Sequence, residues 1–350
     1  MGRKLEALPT EILRVVVSHL FIQDMKHLAS ASKRLRDVCL PYLFHNVVFS
    51  FSDSGLDGLR LLMQSDVRQY VVSFTYLIPE LLRPETMDFE FFRCNILPPG
   101  NYAMWLKTDR SEPAELYVPY VLVYDTFSAI CKEQQKIVEN QEDAIALSAV
   151  FRLLPRLTEL GLRFCQTLVQ EHWVGCFMDQ TVERYTYGHH LCIISNALKT
   201  GRDAGVFIPT VHLSGLELPY YCSLNTPKAH TLSIHLFGLL SCARNLRLSG
   251  SGSPMKSLSH TTLHLQQFDL CCLTVLQATL NEFLQNNMNS IESFAFHHVT
   301  LIGLGFTEED SALISPEMCR SSLRMDWSIM YWTTSPCLVC GHDGWRVSKS

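Results

Sequence analysis

Apolar residues recur every fourth position near the start of the chain, at Leu8, Ile12, Val16 and Leu20. That spacing lines one side of a helix. Pro9 suits the first turn, where a backbone N–H would lack a partner anyway, and Glu11 complements the positive helix start. Asp24 has the side chain of an N-cap for a second short helix carrying Met25, Leu28 and Ala29. A third helix is expected from about Ser32 to Leu40, with Leu35, Val38 and Cys39 inward, Lys33, Arg34 and Arg36 outward, and Pro41 as its stop. So small a bundle buries too little surface to be firmly stable alone. Its apolar excess needs a cover, from the rest of the chain or from another protein.

Downstream, Val47-Val48-Phe49-Ser50-Phe51 reads as a strand. A pattern then repeats: a helical segment followed by an extended one with apolar residues at i, i+3 and i+5. The triplets are Val71/Phe74/Tyr76, Leu157/Leu160/Leu162, Ile208/Val211/Leu213, Ala243/Leu246/Leu248 and Ile291/Phe294/Phe296. The helical segments run at about Leu56–Gln64, Glu142–Leu154, His190–Leu198, Leu232–Cys242 and Leu273–Asn286. Helix and strand in alternation give an α/β fold class. The triplet is also the strand grammar of a leucine-rich repeat, in which each unit adds one strand and one helix to a stack. Successive triplets lie 35 to 86 residues apart, well beyond the usual roughly 20 to 29. The units are therefore read as degenerate, an irregular leucine-rich-repeat-like α/β solenoid over residues 47–325. The largest gap, at about 78–140, holds Pro79, Pro84, Pro98, Pro99, Gly100, Pro113 and Pro119, so an irregular excursion is expected there.

Composition narrows the function. Over 350 residues, 47% are apolar and only 18% charged, with a formal net charge of −5. A sizeable core is possible, and a generally basic nucleic-acid or polybasic membrane binder is disfavoured. Thirteen cysteines without an apolar leader ahead of them read as thiols of the cytoplasm or nucleus. The longest apolar runs, such as Ile234–Leu240, are far short of a bilayer span.

The run Leu8-Pro9-Thr10-Glu11-Ile12-Leu13, then Leu20, then Met25-x-x-Leu28-Ala29, then Ser32-Lys33-Arg34-Leu35-Arg36 resembles an F-box in both order and spacing. The F-box would occupy residues 5–46. Where that family often has a tryptophan after the third helix, this chain has Tyr42-Leu43-Phe44. The segment Phe151 to Leu160, an apolar helix running into Leu-Pro-x-Leu-x-x-Leu, resembles a large fungal family in which an F-box precedes degenerate leucine-rich repeats. The resemblance implies a non-enzymatic adaptor without a cofactor. It would bind a Skp-type linker protein, and through it a cullin-type ubiquitin ligase, by way of Leu8, Pro9, Ile12, Leu13, Leu20, Met25 and Leu28. The repeats would hold a protein substrate. The other reading is a non-catalytic repeat scaffold outside the ubiquitin pathway.

Competing chemistry is thin. Cys337-x-x-Cys340-Gly341-His342 has zinc-like spacing, with Cys319 as a distant fourth ligand, but no second pair accompanies it. The surrounding tail, residues 326–350, shows no clear period and is expected to be irregular. His189-His190 and His297-His298 are read as strand neighbours pointing to opposite faces. His172 and Cys176 stand at i, i+4, a base–thiol spacing that lacks any orienting third group.

Overall fold

The computed structural model describes residues 5–108, 118–169, 171–182, 187–216, 227–302, 312–313, 330–336 and 343–349. After a 3-10 turn at Leu5–Ala7 come three helices, α1 (Thr10–Ser18), α2 (Ile22–Ala31) and α3 (Lys33–Leu43). They close on a small core of their own: Leu13 and Val17 from α1, Ala29 from α2, and Leu35, Val38 and Cys39 from α3. Ser32 caps α3, its Oγ accepting from Leu35 N at 3.3 Å. Arg34 reaches back from α3, where Nη2 donates to the Leu8 carbonyl at 2.7 Å and Nη1 to the Glu6 carbonyl. Three local expectations shift. Pro9 sits just before the first helical residue, and Asp24 lies inside the first turn of α2, whose cap is Phe21. Pro41 does not stop α3: it falls in the last turn, and Phe44 N–H still closes onto Leu40 O at 3.0 Å. A proline that late removes few of the helix's bonds.

The remainder runs β1 (Asn46–Ser50), α4 (Asp53–Gln64), β2 (Ser73–Pro79), α5 (Phe89–Phe91), α6 (Pro99–Thr108), α7 (Tyr120–Glu139), α8 (Glu142–Leu153) and β3 (Glu159–Cys165). It continues through α9 (His172–Thr181), α10 (Tyr187–Asp203), β4 (Thr210–Ser214), α11 (Pro227–Leu240), β5 (Asn245–Ser249), α12 (Ser253–Leu258), β6 (Gln267–Leu276), α13 (Gln277–Asn287) and β7 (Ser293–Ile302). Short β8 (Ala312–Leu313), β9 (Met330–Pro336) and β10 (Asp343–Lys349) follow. Strands β1 to β7 are all parallel and neighbour one another in chain order; β10 and β8 join β7 antiparallel, and β9 joins β10. The architecture is α/β, with a seven-stranded parallel sheet.

Each apolar triplet places its last two members in a strand, and the pairing aligns them into two rows. One row is Phe74, Leu160, Val211, Leu246, Phe268 and Phe294; the next is Tyr76, Leu162, Leu213, Leu248, Leu270 and Phe296. All twelve are buried. Helices α8, α10 and α11 lie side by side over them, with α4 beside α8. One continuous core joins sheet and helices.

Sequence pattern misassigned three stretches. Leu273 to Leu276 finish β6 rather than begin a helix, and Leu265/Phe268/Leu270 make a further triplet of the same form. The apolar residues of β6 fall on both alternations, so its period is ambiguous. The excursion at about 78–140 is not irregular throughout: α5, α6 and α7 lie in it. With α9 they enclose a second core around Phe92, Tyr102, Phe127 and Phe177. Among its described prolines, Pro84, Pro99 and Pro119 stand at helix starts. The tail expected to be irregular contributes β9 and β10, with Trp345 opposite Phe296.

A row of left-handed residues ends the straight part of four strands. Gly215 (φ +70°), Gly250 (φ +81°), Cys272 (φ +50°) and His298 (φ +52°) each follow the mutually paired residues Ser214, Ser249, Cys271 and His297. Gly215 N donates to Ser249 O at 2.9 Å and Gly250 N to Cys271 O at 3.3 Å, so the bends stack. A Cβ on Gly215 would lie 2.7 Å from Phe164 O, which leaves glycine as the residue that fits. In β6 and β7 the extra residue resets the alternation. Inward positions run Phe268, Leu270, Leu273, Val275 and Phe294, Phe296, Val299, Leu301.

Candidate functional site

Helix α1 carries more apolar residues than its own core can take. Leu13 and Val17, four apart, point inward. Ile12 and Val16, on the neighbouring stripe, are exposed, and so are Val15, Phe21 and Ile22; Phe21 is 81% exposed and Val15 57%. The result is an apolar face on α1 and the α1–α2 turn that nothing in the described chain covers. Patches of this kind on otherwise soluble folds mark interaction surfaces.

The expected partner-binding residues divide on this geometry. Pro9 and Ile12 are exposed on the face. Leu8, Met25 and Leu28 are half-buried against the three-helix core, and Leu20 is half-buried in the turn. Leu13 is wholly enclosed and cannot touch a partner, so its assignment is corrected to core. Val15, Phe21 and Ile22 were missed. The available signal was a surplus: five of nine α1 residues are apolar, wider than one inward stripe requires.

A second candidate is the face of the sheet opposite the helices, part of which is enclosed, with Ser249, Asp269 and Cys271 buried. There the side chains are mostly polar. One row reads Thr75, Gly161, His212, Arg247 and Asp269, the next Leu77, Arg163, Ser214, Ser249 and Cys271. Two cross-strand bonds hold them, His212 Nε2 to Ser249 Oγ at 2.9 Å and Arg247 Nη2 donating to Asp269 Oδ2 at 3.2 Å, and within β6 Gln267 Nε2 donates to the same Asp269 oxygen at 2.9 Å. Burial, then the Arg247 and Arg163 charges, push the His212 pKa down to about 4, so the ring is neutral at physiological pH.

A third cluster lies inside. His189 and His190 do not alternate across a strand. They sit about 100° apart on α10, each with its own partner. His189 Nε2 meets the buried Asp143 Oδ2 at 2.9 Å, and His190 Nδ1 meets Tyr76 Oη at 2.9 Å. Burial holds His190 well below the ordinary histidine pKa and Tyr76 well above the tyrosine one. The three donor atoms of Asp143, His189 and His190 fall within 4.8 Å of one another, a spacing open to a metal ion. Both rings and the carboxylate already have hydrogen-bond partners, however: Ala144 N donates to Asp143 Oδ1 at 2.9 Å. The cluster therefore reads as a polar pin joining α8 and α10 to β2. His172 and Cys176 do share α9, where Cys176 is exposed. Cys319, Cys337, Cys340 and His342 lie outside the described residues.

No protein-family model matches the chain, and no curated protein is similar to it in sequence. Among the described residues, no helix is long and apolar enough to cross a membrane.

Proposed function

We propose that this chain is a substrate-recruiting F-box adaptor of a cullin-type (SCF) ubiquitin ligase. Residues 5–46 bind a Skp-type linker, and the following domain, a degenerate leucine-rich-repeat-like solenoid, presents a protein substrate. One observation carries the reading: the uncovered apolar face of Ile12, Val15, Phe21 and Ile22, in the segment whose order and spacing resemble an F-box. An amphipathic helix with a surplus apolar stripe is what a partner groove receives. The strands in chain order support the repeat reading, since each helix–strand unit adds beside the last and extends one continuous sheet face. That face, with Arg163, His212 and Arg247, is where a protein substrate would lie, and the adaptor itself is not an enzyme.

Co-expression with a Skp-type linker tests this. A stable complex, lost when Ile12 and Phe21 are changed to serine, supports it. A folded chain that captures no linker points instead to a repeat scaffold outside the ubiquitin pathway.

A further inference from the structure

Cys271 and Cys272 are sequence neighbours in β6, where regular pleating would send their side chains to opposite faces. They do not part. The left-handed bend at Cys272, φ +50°, leaves the two sulfurs 3.6 Å apart, in contact. The bend follows from the neighbouring strands: Gly250 and His298 flank Cys272 in the same row of left-handed residues. A non-glycine residue is strained there. Cys271 is buried, whereas Cys272 is exposed.

From this geometry we infer that Cys271 and Cys272 form a redox modification site, a vicinal dithiol that a hydroperoxide converts reversibly to a disulfide. The exposed Cys272 thiolate attacks one peroxide oxygen and the O–O bond breaks. The other oxygen leaves as hydroxide or alkoxide and takes up the proton the Cys272 thiol had lost, giving water or an alcohol, with Cys272 now a sulfenic acid. The Cys271 sulfur then attacks the Cys272 sulfur. The S–S bond forms, the S–O bond breaks, and hydroxide departs with the Cys271 proton as water. Two thiols give up two electrons and two protons, and the peroxide is reduced. Reversal is built in. Neighbouring Cα atoms across a trans peptide stand ~3.8 Å apart, closer than the ~4.4–6.8 Å an unstrained disulfide spans, so the ring is strained and a small dithiol reopens it.

The test treats the full chain with stoichiometric hydrogen peroxide, alkylates remaining thiols and maps the peptides by mass spectrometry. Loss of two hydrogen atoms confined to the Cys271–Cys272 peptide, restored by dithiothreitol, is the expected result. Exposed Cys94 serves as the internal comparison. In Cys271→Ser the oxidation is expected to stop at a sulfenic acid on Cys272, trapped by dimedone. Should burying that serine unfold the chain, Cys272→Ser, at an exposed position, removes the two-hydrogen loss with the fold intact. The inference is overturned if wild-type Cys272 runs to sulfinic acid, or pairs with another cysteine, without bonding to Cys271.

Discussion

Tyr76 and His190, from β2 and α10, meet at 2.9 Å with neither ring reaching solvent. Phe51 packs edge-on against the same imidazole at 4.7 Å, so the ring meets a polar partner on one side and an apolar one on another. A buried hydrogen bond in such a setting contributes modestly when made and costs more when one partner is left alone. Tyr76→Phe keeps the ring and removes only the hydroxyl. It is expected to lower unfolding free energy by ~1–3 kcal/mol, measured by urea denaturation. A loss below the error of that measurement would show that the pin does not hold α10 to the sheet.

His212 gives a pH dependence whose sign follows from its direction of shift. In the unfolded chain the ring takes a proton below its ordinary 6.5, whereas the folded ring stays neutral down to about 4. Between those values the unfolded state binds more protons, so stability falls as pH falls through the window. The loss from this group is on the order of 3 kcal/mol by pH 4. His212→Gln is expected to flatten the profile of melting temperature against pH in that range. A profile of unchanged slope would contradict the assignment.

One substitution is expected to act with opposite signs at two glycines. At Gly215, with φ +70° and Phe164 O at 2.7 Å from any added Cβ, alanine is expected to destabilise by ~1–3 kcal/mol. At Gly58, exposed in the middle of α4 with nothing within 4 Å of an added Cβ, alanine is expected to stabilise by ~0.5–1 kcal/mol. Thermal denaturation of the two variants side by side checks both.

Much of the sheet was legible because the apolar triplets encode it directly. Val71, Phe74 and Tyr76 mark the entry, first and second inward positions of a strand, and the same three positions recur in β3, β4, β5 and β7. Sequence failed where one residue broke the period. Cys272 and His298 each insert a left-handed step, after which Leu273 and Val299 take up the inward phase, and alternation alone cannot anticipate that shift. The α5–α7 segment was hidden for a different reason. Its prolines read as breakers, although Pro99 and Pro119 start helices. The partner face was half-legible. The stripe Leu8, Ile12, Val16, Leu20 was visible, but the inward stripe is the adjacent Leu13 and Val17, and a single helix does not say which of two apolar stripes its neighbours will cover.

That division yields a paired expectation on α1. Leu13→Ala opens the small helical core and is expected to cost ~2–5 kcal/mol in the stability of that module, seen as accelerated amide exchange in α1 to α3. Phe21→Ser removes a side chain that touches almost nothing, and is expected to change stability by less than ~0.5 kcal/mol. Equal losses in both variants would mean that the face is packed rather than open.

The most direct measurement is the affinity of the purified chain for a Skp-type linker by titration calorimetry, comparing wild type with the Ile12→Ser/Phe21→Ser double variant at unchanged circular dichroism. The expected result is tight one-to-one binding by the wild type, weakened at least ~100-fold in the variant, as removal of central apolar anchors does. Absence of binding by the wild type, or equal binding by the two, would contradict the account.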